Sequence, residues 1–85
     1  MMENVLQYPV ATEKALNLTE SGNTIIYIVS KNADKKSIRG EFENTFKVKV
    51  DRVNTVIGPD NRKRAYIRLK KEFPASDIAK KLKLV

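Results

Sequence analysis

Residues 64–71 alternate more cleanly than any other stretch of the chain, and that alternation sets the first constraint on its fold. Ala65, Ile67 and Leu69 fall on one parity; Arg64, Tyr66, Arg68 and Lys70 fall on the other. A period of two is that of a strand with one face in a core and one outside it. A strand cannot bury its apolar face alone, so a partner is required. Lys47 to Ile57 supplies one, with Val48 and Val50 on one parity and Val53, Thr55 and Ile57 on the other. The slip between the two sets, around Asp51 and Arg52, predicts a β-bulge. Gly58-Pro59-Asp60-Asn61 between the runs has the composition of a hairpin connection.

Upstream, Thr24 to Ser30 is apolar on both parities, which predicts a central strand covered on both faces. Val5 to Tyr8, ended by Pro9, reads as a short edge strand. Thr12 and Asp34 are candidate helix N-caps, with Glu13 following Thr12 at the positive end of a helix dipole. Ala15, Leu16 and Leu18 give the first helix an apolar side, and Ser21-Gly22-Asn23 ends it in a turn. Ile38, Phe42 and Phe46 recur every four residues and share one face of the second helix. Gly40 lies within that helix, and close packing onto the sheet is its ordinary explanation. Ser76 is the expected cap of a last helix, which buries Ile78, Ala79 and Leu82 and turns Lys80, Lys81 and Lys83 outward.

The order strand, helix, strand, helix, strand, strand, helix predicts an α+β fold. Its sheet has four mostly antiparallel strands, with about three helices. The strands at 24–30 and 47–57 run parallel with the hairpin strand inserted between them, a split βαβ unit related to ferredoxin-like folds. One face of the sheet is expected to stay at least partly open. Eighty-five residues make one domain, residues 1–85.

Charge narrows the function. The net charge is +7, and residues 46–85 hold twelve bases against four acids, while residues 1–45 are nearly neutral. Such a field attracts polyanions, nucleic acid first. Arg64, Tyr66, Arg68 and Lys70 share one side of the hairpin; Arg62 and Lys63 sit at its tip; Lys47, Lys49, Arg52 and Asn54 come from the partner strand. Alternate side chains on a strand stand about 7 Å apart, near the pitch of successive phosphates. Guanidinium groups bind phosphate oxygens in pairs, and Tyr66 offers a surface for a base or ribose. The same pattern fits a solvated sheet face. Lys35, Lys36 and Arg39 form a second basic group, for which a solvated helix face is an equal reading.

Other classes fit less well. The chain has no His and no Cys, so the commonest general base, thiol chemistry and thiolate metal sites are absent. It has no Walker loop, no GxGxxG and no metal-ligand spacing. An acyl-phosphate hydrolase pairs an arginine in a Gly-rich loop with an asparagine on a neighbouring strand. Asn54 suits the second role, but residues 31–34 contain neither Arg nor Gly. No enzyme activity, cofactor or metal is expected. No apolar run is long enough to span a bilayer, and no signal peptide or membrane insertion is expected.

Two elements carry a resemblance. Tyr8-Pro9-Val10-Ala11-Thr12-Glu13-Lys14 is followed, after the basic helix ending in Phe46, by Val48-Lys49-Val50-Asp51-Arg52-Val53-Asn54-Thr55 and a hairpin ending Arg62-Lys63-Arg64-Ala65-Tyr66. Over nearly its whole length the chain resembles the universal large-subunit ribosomal protein twenty-three family, in its short archaeal form. The resemblance implies a structural role in translation: binding large-subunit rRNA at the exit of the peptide tunnel, among neighbouring large-subunit proteins, in a cytoplasmic ribosome. By position it implies rRNA contacts for Arg52, Asn54, Thr55, Lys63 and Arg64, with Lys14, Lys35 and Lys36 beside them. It implies that Glu13 is a docking point for a nascent-chain factor, the signal recognition particle or the nascent-chain-associated complex. Only Gly58 to Arg62 join the hairpin strands, where bacterial members carry a long extension, so contact with the chain inside the tunnel is not expected. The runner-up is an RNA-recognition-motif module acting off the ribosome, but its Gly-aromatic motif is missing.

Overall fold

A computed structural model of the chain describes residues 5–82. The elements follow the predicted order: β1 (Leu6–Pro9), α1 (Glu13–Gly22), β2 (Thr24–Val29), α2 (Lys35–Phe46), β3 (Val50–Ile57), β4 (Lys63–Leu69) and α3 (Ala75–Lys81). The sheet order is β1-β2-β4-β3, and every neighbouring pair is antiparallel. β4 therefore lies between β2 and β3, which run parallel to each other, as the split βαβ reading requires. β1 and β3 are the edges.

The core forms where the apolar parities of β2, β3 and β4 meet α2. Ile25, Tyr27 and Val29 of β2, Val50 and Val53 of β3, and Ala65, Ile67 and Leu69 of β4 join Ile38 and Phe42 in one buried cluster. Phe42 is fully buried and meets Tyr27 edge-on, with ring centroids 6.3 Å apart. Burial pushes the Tyr27 hydroxyl pKa above its usual value. α3 adds Ala75 and Ile78 to the cluster. α1 contacts β2 and brings Leu18 to the opposite face of the sheet. Ile26 and Ile28, on that opposite parity of β2, are also buried, so β2 is covered on both sides.

The caps at Thr12 and Asp34 form as expected: Thr12 Oγ1 accepts from the Ala15 amide at 3.2 Å, and Asp34 Oδ1 from the Ser37 amide at 2.7 Å. The bulge lies where the parity slips, with the β3–β4 register shifting between Val50 and Arg52.

Three expectations fail. The strand expected from Lys47 starts late: α2 ends at Phe46 as expected, but Lys47, at φ 57, is its left-handed C-cap, and its amide donates to the Glu43 carbonyl. β3 begins at Val50, so Lys47 and Lys49 precede the strand. Ser76 does not cap α3. The helix starts at Ala75, whose amide is instead satisfied by Asn23 Oδ1 at 2.6 Å, from a residue distant in sequence. Gly40 is exposed, and a Cβ built there meets nothing within 4 Å, so close packing does not explain it. Lys83, expected on the outer side of the last helix, lies outside the described residues.

Candidate nucleic-acid interface

The β3–β4 register builds the candidate site in rows across the face opposite α2. Arg52, Arg68 and Thr24 form one row; Asn54, Tyr66 and Ile26 the next; Val56, Arg64 and Ile28 the third. Arg52 and Arg68 are thus direct cross-strand partners. Like charges placed opposite each other destabilise a sheet. Asp51, whose Oδ2 lies 4.0 Å from Arg68 Nε, offsets part of that repulsion. An anion laid across the row would offset the rest.

The face is open where it matters. The Arg68 side chain is 53% exposed, Arg52 and Asn54 are exposed, and Tyr66 is half-buried. Leu18 of α1 shares a shallow hollow with Arg52, Asn54, Tyr66 and Arg68, so α1 forms a wall beside the basic rows without burying them. Lys70 is exposed just past the end of β4.

Arg64 is held differently. Its guanidinium forms a two-pronged pair with Asp60, at 3.2 and 3.0 Å, and packs against Gly58. A Cβ at Gly58 would fall 2.1 Å from an Arg64 nitrogen. The turn that allows this has the Asn61 amide donating to the Gly58 carbonyl at 3.0 Å, with Asn61 left-handed at φ 62. The Arg64 hydrogen bond keeps the Asp60 carboxyl below its ordinary pKa.

Lys63 and Thr55 point to the other side of the sheet from Arg64 and Asn54. Lys63 Nζ donates to the Ala33 carbonyl at 2.5 Å, tying the hairpin to the loop before α2. Arg62 donates to the Tyr8 hydroxyl of β1 and lies over its ring.

The second basic group proves continuous with the first. Lys35, Lys36 and Arg39 of α2 line a hollow that Arg52 and Asp51 complete. Arg52 therefore belongs to both hollows, and one cationic band wraps the β3 edge from the β4 face to the first turns of α2. Arg39 is also paired with Glu43 at 3.6 Å. Lys14 and Glu13 lie exposed in the first turn of α1, away from this band in sequence and element. Sequence reasoning missed Leu18, Asp51 and Asp60 as site residues. The carboxylates carried a signal, since each stands within a few residues of an arginine; the position of Leu18 did not.

Among the described residues no cluster of three or more acids could hold a metal, and no helix is long and apolar enough to cross a membrane.

The family model described as ribosomal protein L23 matches residues 4–75 of the chain. Over 78 residues the chain is 46% identical to large ribosomal subunit protein uL23 of the archaeon Methanothermobacter thermautotrophicus, which spans 92% of this chain and 91% of that protein. Over 78 residues it is 47% identical to large ribosomal subunit protein uL23c of spinach, Spinacia oleracea, again spanning 92% of this chain but 39% of the relative. The chain thus covers well under half of the spinach protein's length.

Proposed function

The chain belongs to the ribosomal protein L23 family, whose members are structural components of the large ribosomal subunit, and on that premise we propose that it is a single rRNA-binding domain. The band around the β3 edge grips the backbone of large-subunit rRNA near the peptide exit tunnel. The observation that carries this reading is the Arg52–Arg68 cross-strand pair, continuous through Arg52 with Lys35, Lys36 and Arg39. Two arginines fixed opposite each other raise the local potential and invite a phosphate between them. Asn54 and Tyr66 in the next row offer an amide and a ring to the adjoining nucleotide.

The protein acts by holding RNA rather than by catalysing a reaction. Neighbouring large-subunit proteins complete its surroundings, on a cytoplasmic ribosome. Glu13, exposed beside the Thr12 cap, is the proposed docking point for the signal recognition particle or the nascent-chain-associated complex.

Binding of an rRNA fragment across a salt series tests the band. Neutralising five or more phosphates gives a log–log slope of roughly −3.5 or steeper. Arg52→Ala with Arg68→Ala makes that slope shallower by about two. It leaves unfolding within about 0.5 kcal/mol, because both side chains are exposed. A flat slope in the parent chain, or a slope unchanged in the double variant, rejects the band.

A further inference from the structure

The end of the sheet where β2 leaves and β4 enters carries another cationic hollow, of about 400 Å³, lined by Lys31, Asn32, Asn61, Arg62 and Lys63 with Gln7 of β1 along one side. These residues come from β1, the loop after β2, the hairpin tip and the start of β4. Only the fold brings them together.

Two of the three cations are held in place without being neutralised. Lys63 is anchored by a carbonyl, that of Ala33 at 2.5 Å. Arg62 is anchored by the Tyr8 hydroxyl and ring, its guanidinium carbon 5.9 Å from the ring centroid. Lys31 is exposed in the loop. No carboxylate among the described residues lines the hollow. Three of the other four arginines differ: Arg39, Arg64 and Arg68 each face an acid of their own chain. Charge at the sheet end is therefore preorganised at Arg62 and Lys63, Lys31 adds a third cation with no carboxylate in the lining, and Asn32 and Asn61 add neutral amides. Cations and amide donors around a concave, open site suit a tetrahedral oxyanion.

We infer that this hollow is a second phosphodiester site, which takes a backbone phosphate of an RNA segment other than the one crossing the β3 edge. The inference rests on the RNA-binding reading above.

The test titrates the full chain with inorganic phosphate and, separately, with a large-subunit rRNA fragment. Phosphate is expected to move the amide resonances of Asn32, Asn61 and Lys63 in the parent chain and in Arg52→Ala/Arg68→Ala. The same shifts disappear in Lys31→Ala/Arg62→Ala, and its rRNA salt slope falls by about two. Arg62→Lys, which keeps the charge, retains both responses. Lys31→Ala alone, at an exposed loop position, reports a slope reduced by about one if the double variant does not fold. If shifts and slope persist in the Lys31 and Arg62 variants while the Arg52/Arg68 variant binds weakly, the second site is overturned and the β3-edge band stands. Loss of the phosphate shifts with an unchanged rRNA slope marks a free-anion site and also overturns the inference. A parent chain that binds no rRNA overturns both readings.

Discussion

Asn23 ties three elements together with one side chain. It ends α1 in the left-handed region at φ 50, its Nδ2 donates to the carbonyls of Leu69, Lys70 and Phe73, and its Oδ1 accepts from the Ala75 amide. Replacing it by Ala strands these groups and strains the backbone, an expected loss of about 2–4 kcal/mol in urea unfolding. Asn23→Gly relieves only the backbone part and recovers about 1 kcal/mol. Equal stability of the two variants would mean that the backbone angle contributes little. In sequence Asn23 reads as turn punctuation, because its partners lie about fifty residues away and no local pattern announces them. Two aspartates set an acid limit at the same scale. The Ser37 amide holds Asp34, and the Arg64 guanidinium holds Asp60, below the ordinary value of 3.8. Carboxylates with a depressed folded pKa add stability that is present above the unfolded value and lost as pH falls through the folded one. Melting temperature is expected to drop as pH falls below about 3.8. Asp60→Asn should flatten that drop, and an unaltered acid limb in this variant would remove Asp60 from the account.

At the scale of elements, periodicity carried most of the fold. Ile38, Phe42 and Phe46 place α2 on the sheet; the two-parity run of β2 is buried on both faces; the slip at Asp51-Arg52 is the bulge. What periodicity misses is where an element begins when the boundary is made by backbone angle, as at Lys47 before β3, or by a distant side chain, as at Ala75. Gly40 shows the limit in the other direction. It sits in a helix interior on the solvent side, with open space where a Cβ would go. Gly40→Ala is expected to stabilise the chain by about 0.5–1 kcal/mol, through the smaller loss of backbone freedom on folding. Thermal unfolding measures this directly, and a fall in melting temperature would mean the helix needs the glycine for a reason its surroundings do not reveal.

At the scale of the molecule, the candidate site was half legible. Alternation put Arg64, Tyr66, Arg68 and Asn54 on one face, and they are there. The union of that face with Lys35, Lys36 and Arg39 was not legible, since it depends on β3 being an edge strand beside α2. The separation of Lys63 and Thr55 to the other side was legible in their parity, Thr55 with Val53 and Lys63 with Ala65. Glu13 belongs to this scale because its proposed role needs a partner. Its side chain makes no hydrogen bond or ion pair among the described residues. Glu13→Ala is expected to leave rRNA binding intact and reduce recruitment of the nascent-chain factor to ribosomes in co-sedimentation. Full recruitment by this variant would reduce Glu13 to a favourable charge at a helix start.

The flank of β3 that faces away from β4 has no strand beside it among the described residues, and Val56 and Ile57 near its end are 52% and 59% exposed. An unpaired flank of this kind is a template for sheet growth between copies. In the free chain, mutual repulsion between like-charged molecules opposes that growth, and concentrated salt weakens the repulsion. Purification in high salt, routine for stripping RNA from a basic protein, therefore removes the safeguard against clumping, and dilute handling or prompt return to RNA is the gentler course.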